Sequence, residues 1–219
     1  MRKVKQFFDD YAEDFDAIYG NSQSIINNFL NPILRKSMRE RFEKTIQYTE
    51  NINDKTILDI GCGPGHYSIA LVKNGAENVT GIDLSKSMIE IAKEKAEYLN
   101  ISYKCKFIVI DLFQYNSDVK YDYSVVMGVM DYISEPYIFI EKVISLTKGK
   151  IFFSFPVSGG LLAAQRRFRY LNRCPLYMYN EKRLNELFEK FQPYQYKIEV
   201  GSEEEKLTSY FLKPRDWIL

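Results

Sequence analysis

Residues 57–71 read ILDIGCGPGHYSIAL and join an apolar run to a turn with three glycines and one proline. The run ILDI has the composition of a short buried strand, and the residues from about Gly65 to Asn74 have helical spacing. Glycine permits left-handed backbone conformations and a close approach of other atoms. The sequence therefore predicts a strand, a tight turn and a helix, with a ligand against the backbone of the turn.

The same order of strand and helix recurs along the chain. Such alternation is typical of βαβ units, which pair their strands in parallel and bury the sheet on both faces. Five strands are predicted at 55–60, 78–83, 105–111, 121–129 and 149–156, and two more, at 195–200 and 206–214, as a closing hairpin. The predicted fold is an α/β, Rossmann-like, doubly wound and mostly parallel seven-stranded sheet with helices on both faces.

The first fifty residues differ from the rest because they show helical spacing without strands. Apolar residues recur at helical intervals over 4–19, and a second stripe covers 25–46, with a bend expected at Pro32. We predict a helical segment at 1–50 that precedes a core domain at 51–219.

Composition excludes several classes of protein. The 219 residues include 30 Lys and Arg against 29 Asp and Glu, so the net charge of +1 gives no field that would attract nucleic acid or an anionic membrane. Three cysteines and one histidine do not form a metal-binding pattern, and no run of about eighteen apolar residues occurs. We expect a cytoplasmic protein without a metal or a membrane partner; both a monomer and a homodimer fit.

The spacing and charge of the glycine turn argue against a dinucleotide. Gly61, Gly63 and Gly65 follow the pattern G-x-G-x-G rather than G-x-G-x-x-G, and Asp59 lies two residues before the first glycine. A carboxylate at that distance repels a pyrophosphate and attracts a cationic ligand. The turn is therefore expected to bind a ligand that carries positive charge.

Two further predicted strands also end in aspartates. Asp83 closes the second strand, where a carboxylate can accept hydrogen bonds from both ribose hydroxyls, and Asp111 closes the third, where it can accept one from an adenine amino group. Each aspartate alone also fits a structural role, since Asp caps helices and begins turns. Together with Asp59 they favour a nucleoside with ammonium and sulfonium charges, which describes S-adenosylmethionine.

Four motifs extend this interpretation to a family. ILDIGCGPGHYSIAL (57–71), VTGIDLSKSMIEIAKEKA (79–96), FIVIDLFQY (107–115) and YDYSVVMGVMDYI (121–133) resemble, in order and spacing, the cofactor motifs of class I S-adenosylmethionine-dependent methyltransferases. The likeness covers about residues 52–156 and implies S-adenosylmethionine as methyl donor and S-adenosylhomocysteine as product. It assigns Gly61, Cys62 and Gly63 to the methionine portion, Asp83 to the ribose, Leu84, Met88, Asp111 and Leu112 to the adenine, and Met127 and Gly128 to the methyl side.

The N-terminal stretch FFDDYAEDFDAIY (7–19) is similar to the lid helix of many small-molecule members, whose aromatic residues close over the cofactor. By that likeness, Tyr11 and Tyr19 would contact or shield the reactive centre, although aromatics on an amphipathic helix also serve in packing. A fainter likeness, in FDAIYG (15–20), is to members that act on porphyrin carboxylates.

Methyl transfer needs few catalytic groups, because the leaving group is good and the enzyme mainly positions the nucleophile and excludes water. Asp131, just after the fourth strand, is a candidate general base, and its structural alternative is to cap the short helix before Ser134. His66 is a second candidate. Its place at the start of a helix equally suits a structural or cofactor-contacting role, because the helix dipole disfavours its protonated form.

Arginines and tyrosines alternate in a segment at about 157–180, which we predict to be a substrate-recognition insert. Its candidates for binding an anionic acceptor are Arg166, Arg167, Tyr170 and Tyr177. The same pattern suits RNA bases and phosphates, or a solvated basic helix face. We predict a methyltransferase that acts on an oxygen or nitrogen of a small molecule; an RNA methyltransferase and a non-catalytic S-adenosylmethionine-binding protein are the alternatives.

Overall fold

The computed structural model of the chain describes residues 2–10, 12, 32–49, 51–156, 174–191 and 208–212. The described strands are β1 (Thr56–Ile60), β2 (Asn78–Asp83), β3 (Cys105–Val109), β4 (Tyr121–Val126), β5 (Thr147–Phe155) and β6 (Thr208–Leu212). The described helices are α1 (Arg2–Asp10), α2 (Pro32–Tyr48), α3 (His66–Lys73), α4 (Lys86–Tyr98), α5 (Pro136–Leu146) and α6 (Glu181–Phe191), with short 3₁₀ helices at Ser102–Lys104 and Met130–Tyr132.

The six strands form one sheet in the order β3-β2-β1-β4-β5-β6. The first five are parallel, and β6 pairs with β5 in the antiparallel direction. The Rossmann-like, mostly parallel sheet is thus confirmed. Six of the seven predicted strands are described, and the remaining one, expected at 195–200, lies outside the described part of the chain.

The N-terminal segment is helical where it is described. Helix α1 covers the first part of the helix predicted over 4–19, and α2 covers Pro32–Tyr48 within the second predicted stripe. The residues before Pro32, on which the expected bend depends, lie outside the described part of the chain.

The sheet is buried on both faces, as parallel sheets are when helices cover them. One face packs Leu58 and Val126 with residues of α5 and α6, and the other packs Ile57 and Val125 with residues of α2 and α3. All four side chains are inaccessible to solvent. The strand order reverses between β1 and β4, so the crevice beyond their carboxyl ends is where a sheet of this type binds ligands.

A polar clamp lies at the opposite end of the strands, where they begin. The carboxylate of Asp122, in β4, accepts hydrogen bonds from the Thr56 amide (3.0 Å) and hydroxyl (2.9 Å) and pairs with Lys148 Nζ at 3.1 Å. Burial raises the pKa of Asp122, but these three partners outweigh it, and the pKa is lowered overall. The clamp ties the beginnings of β1, β4 and β5 together.

Candidate functional site

The glycine turn after β1 adopts a conformation that only glycine takes without strain at three positions. Gly61, Gly63 and Gly65 have φ angles of 67°, 51° and 77°. A Cβ atom on Gly61 would overlap the side chain of Val129, which follows β4. The sequence predicted that other atoms lie close to the backbone of this turn, and the side chain of Val129 is one such neighbour.

The turn is fixed against the end of the neighbouring strand β2. The amides of Gly61 and Cys62 both donate to the carbonyl of Ile82, at 2.8 and 3.1 Å. The amide of Gly63 donates to Asp83 Oδ2 at 2.9 Å. The glycine turn and the carboxylate that ends β2 therefore share one crevice at the carboxyl edge of the sheet.

Asp83 is only half-buried, and its carboxylate accepts a second hydrogen bond from the amide of Ser85, at 2.9 Å. Burial raises its pKa, the amides of Ser85, Gly63 and Leu84 lower it, and the charge of Asp9 raises it further; the net direction is upward. The structure thus places Asp83 where the sequence predicted it, at the mouth of the crevice.

Asp59 lies deeper than the sequence suggested. Its side chain is 1% exposed, and Oδ2 accepts a hydrogen bond of 2.6 Å from the hydroxyl of Ser68 in α3. Burial raises the pKa of Asp59 to about 7, against the opposing effect of the Ser68 hydrogen bond and with a small contribution from Asp83. The expectation that Asp59 faces a cationic ligand is therefore corrected: strand alternation turns this side chain inward, where it ties α3 to β1.

Cys62 is 5% exposed, and burial together with the charges of Asp59 and Asp83 raises the pKa of its thiol well above the ordinary value. A thiol in this state is not a nucleophile. The amide of Cys62 donates to the carbonyl of Ile82 and so helps to fix the turn.

The positions expected to face the adenine surround the loops after β2 and β3. Met88 and Leu112 are buried, whereas Leu84 is partly exposed. Asp111 Oδ1 accepts a hydrogen bond of 2.9 Å from the amide of Phe113, so this carboxylate also begins a turn. The structural and the ligand-binding interpretation of Asp111 are thus compatible.

An arginine that sequence reasoning missed lies at the end of β4. Gly128 has a φ of 73°, and a Cβ atom there would lie 3.4 Å from Nη1 of Arg41. Arg41 Nε donates to the hydroxyl of Tyr67, in α3, at 3.2 Å. Next to it, the Thr45 hydroxyl lies 3.6 Å from the sulfur of Met127. Helix α2 therefore carries a guanidinium group to the point where the strand order reverses.

Two predicted residues of the acceptor side lie together. Asp131 is 2% exposed in the 3₁₀ helix after β4, and its carbonyl accepts a hydrogen bond of 2.8 Å from the amide of Tyr177. The capping alternative for Asp131 does not hold, because Val129 precedes this 3₁₀ helix and Glu135 precedes α5 at the N-cap positions. Tyr179 is buried nearby, and its pKa is raised to about 12 by burial, with Arg183 lowering it and Asp131 raising it.

His66 lies in a different place from Asp131. The Nε2 atom of His66 is 3.4 Å from Lys95 Nζ. His66 also lines an open cleft of about 480 Å³, which is formed by residues of α3 and α4 and by Leu99 directly after α4. An ammonium group only donates, so Nε2 accepts in this contact. The contact favours the structural interpretation of His66.

Helix α1 packs against the 3₁₀ helix that carries Asp131. Phe8 meets Tyr132 edge to face with 5.2 Å between ring centroids, and Val4 and Cys174 belong to the same apolar cluster. The other predicted residues of this region, namely Tyr11, Tyr19, Arg166, Arg167 and Tyr170, lie outside the described residues.

The described residues contain no group of three or more His, Cys, Asp or Glu side chains that could hold a metal ion. None of the described helices has both the length and the apolarity that crossing a bilayer requires.

Comparisons with known proteins agree with this geometry. A family model described as "Methyltransferase domain" matches residues 52–192. The ubiquinone biosynthesis O-methyltransferase of Coxiella burnetii is 34% identical over 152 residues, which are 67% of this chain and 58% of that protein. A probable (S)-tetrahydroprotoberberine N-methyltransferase 2 of Papaver bracteatum is 27% identical over 60% of this chain and 37% of that protein. The matches thus span less than two thirds of the length of these curated relatives.

Solved structures share the fold. The magnesium protoporphyrin IX methyltransferase of Synechocystis PCC 6803, solved with bound SAH, superimposes with a TM-score of 0.77. The alignment covers 96% of this chain and 98% of that one at 22% identity.

Proposed function

Because this chain belongs to the class I S-adenosylmethionine-dependent methyltransferases, we propose that it transfers the methyl group of S-adenosylmethionine to an oxygen or nitrogen atom of a small molecule. The observation that carries the proposal is the hydrogen bond from the Gly63 amide to Asp83, which brings the glycine turn and a half-buried carboxylate into one crevice. This crevice lies at the reversal of strand order, where sheets of this type bind nucleotides.

The residues present fit this cofactor at its two polar ends. The carboxylate of Asp83 can accept further hydrogen bonds, from ribose hydroxyls, because the residue is only half-buried. Arg41 lies beside Gly128 and is the cation for the carboxylate of the methionine portion. The bare backbone of Gly61 and Gly63 gives the methionine portion room at the turn.

The cofactor, when bound, supplies an activated methyl group with a good leaving group. The protein's tasks are then to orient the acceptor and exclude water. On the acceptor side, Asp131 is the proposed general base for a hydroxyl acceptor, with Tyr177 beside it as a substrate-binding residue. Helix α1 is the proposed lid, since Phe8 packs on Tyr132, the neighbour of Asp131.

The relatives suggest which acceptors to test first. The curated relative of Coxiella burnetii is named for O-methylation in ubiquinone biosynthesis, and the structural relative for magnesium protoporphyrin IX. We propose that an anionic or hydroxyl-bearing ring compound is the acceptor, bound by the insert at about 157–180 with Arg166, Arg167 and Tyr170. The protein is proposed to act in the cytoplasm.

The test measures S-adenosylhomocysteine formed from S-adenosylmethionine with ubiquinone precursors, magnesium protoporphyrin IX, small amines and tRNA as acceptors. We expect turnover with a small molecule and none with tRNA. Turnover with tRNA alone would replace the proposal by RNA methylation. Tight cofactor binding without turnover on any acceptor pool, including cell extract, would indicate a non-catalytic binding protein.

A further inference from the structure

Helix α1 makes a polar contact with the loop that follows β2. Asp9 Oδ1 accepts a hydrogen bond of 2.7 Å from the hydroxyl of Ser85. Ser85 is fully buried, its hydroxyl also accepts a hydrogen bond from the amide of Met88, and its own amide donates to Asp83. One serine therefore links the lid helix, the beginning of α4 and the carboxylate proposed to hold the ribose.

The other face of α1 is anchored across the crevice. Phe8 and Val4 pack with Tyr132 and Cys174, which lie beyond β4 and in the segment before α6. Ser85 follows β2, and β1 lies between β2 and β4 in the sheet. Helix α1 thus bridges the crevice, with a polar contact on the ribose side and an apolar contact on the acceptor side.

We propose that the Asp9–Ser85 hydrogen bond is a latch that holds α1 across the cofactor crevice and sets the rate at which cofactor and product exchange. This inference rests on the proposed function, which it deepens by assigning a positioning role to Asp9. Asp9 does not contact the reacting atoms; it acts through the position of α1.

The closed position of α1 is stabilised by a charge-assisted hydrogen bond and by apolar packing. When α1 lifts, the Ser85 hydroxyl loses its charged acceptor, and Phe8 and Val4 lose their apolar cover. Both costs favour the closed position.

The latch is also coupled to the ribose site. Asp9 and Asp83 both accept hydrogen bonds from Ser85, at 2.7 and 2.9 Å, so their negative charges lie close together and repel each other. Hydrogen-bond donors placed against Asp83 reduce this repulsion, so cofactor binding and the closed position of α1 favour each other. Release of the product then requires the latch to open.

The test compares the dissociation of tritiated S-adenosylhomocysteine, chased with unlabelled ligand, from the wild type, Asp9→Ala and Asp10→Ala. Asp10 is the matched control because it is the exposed neighbour on the same helix and contacts only Gln6 among the hydrogen bonds described for it. We expect about tenfold faster dissociation from Asp9→Ala, the scale of a charge-assisted hydrogen bond, and less than a twofold change in Asp10→Ala. Equal rates in all three proteins would overturn the latch.

A double-mutant cycle with Ser85→Ala separates the latch from the helix cap. Ser85→Ala also removes the cap of α4, but that loss is common to the single and the double variant. We expect Asp9→Ala to accelerate dissociation no further once Ser85 is alanine. Multiplicative effects of the two substitutions would show that the residues act independently, against the proposal.

A second readout does not depend on ligand binding. Lys3 and Lys5 are exposed on α1, and trypsin needs an unwound backbone there, which forms more readily when the helix is no longer packed. We expect ligand-free Asp9→Ala to be cut at these sites several-fold faster than the wild type and Asp10→Ala; an unchanged rate would contradict the latch. A wild type that binds no S-adenosylhomocysteine would refute the proposed function while leaving this measurement to decide the latch.

Discussion

At the scale of single residues, the burial of Asp59 has a consequence for stability. Its pKa is about 7 in the folded protein, above the ordinary value of 3.8, because burial penalises the charged form. A group whose pKa is raised by folding stabilises the protein at low pH, and that contribution is lost as pH rises. The loss occurs here between about pH 4 and pH 7.

We therefore predict that Asp59→Asn raises the free energy of unfolding of the ligand-free protein at pH 8, by at most on the order of 4 kcal/mol, and changes it little at pH 4. The asparagine keeps an acceptor for Ser68. Urea unfolding between pH 4 and pH 8 measures the difference, with the exposed Asp118→Asn as control. A constant difference across this range would contradict the burial of an ionisable Asp59.

Arg41 is the residue proposed to bind the carboxylate of the methionine portion of the cofactor. Arg41→Ala is predicted to weaken binding of S-adenosylhomocysteine tenfold or more, because charge-assisted hydrogen bonds contribute about 1.5–3 kcal/mol. Arg41→Lys is predicted to restore part of the affinity. Arg39→Ala, an exposed arginine on the same helix, is the matched control in calorimetry. Equal affinities for the Arg39 and Arg41 variants would remove Arg41 from the site.

A substitution at Asp131 tests the proposed general base for the methyl acceptor. If it is the general base for a hydroxyl acceptor, Asp131→Asn is predicted to lower kcat by about 10²–10⁴ while leaving the affinity for S-adenosylhomocysteine unchanged. Steady-state kinetics and calorimetry measure the two quantities separately. Unaltered kcat would assign Asp131 a structural role, with its carbonyl holding Tyr177 as observed.

Some site residues could be predicted from the sequence and others could not, for physical reasons. Asp83 ends its strand, so its position followed from the strand alone, and the Gly63 contact agrees with it. Asp59 precedes the last residue of β1, and the sequence does not say which face of that strand α3 covers. Arg41 reaches Gly128 through tertiary packing between residues 87 positions apart, and α2 carries several other basic residues that look the same in sequence.

At the scale of elements, the five parallel strands could be predicted because buried strands read as apolar runs between turns. The start of β5 could not be predicted in this way. The strand begins at Thr147, two residues before the predicted start, and polar residues hold it there: the Thr147 hydroxyl bonds the hydroxyl of Ser124 and the carbonyl of Val143. The register between β4 and β5 also shifts between Tyr121 and Tyr123, which no sequence period reveals.

The clamp at the amino edge of the sheet gives a prediction at this scale. Asp122→Asn is predicted to lower the free energy of unfolding at pH 7 by about 1–2 kcal/mol, because Lys148 loses its anionic partner and Thr56 a charged acceptor. The pKa of Asp122 is lowered by folding, so its contribution is present above the ordinary pKa and is lost as pH falls below it. Urea unfolding at pH 7 and at about pH 3.5 measures this, and the difference is expected to shrink at the lower pH. A difference that grows on acidification would contradict the clamp.

At the scale of the whole molecule, the sheet brings distant segments to one edge. The glycine turn, the end of β2, the end of β4 and the N-terminal helices meet there although they are far apart in sequence. Single motifs of this kind occur in many folds, and their convergence is what favours a cofactor with a ribose at one end and a charged amino acid at the other.

Isothermal titration calorimetry of the wild-type protein with S-adenosylmethionine, S-adenosylhomocysteine, NAD and ATP, repeated with Asp83→Asn, measures which ligand the crevice binds. We expect the two adenosyl compounds to bind, NAD and ATP not to bind, and Asp83→Asn to weaken binding of the adenosyl compounds at least tenfold. Binding of NAD or ATP in place of S-adenosylhomocysteine would refute the assignment of the crevice to S-adenosylmethionine.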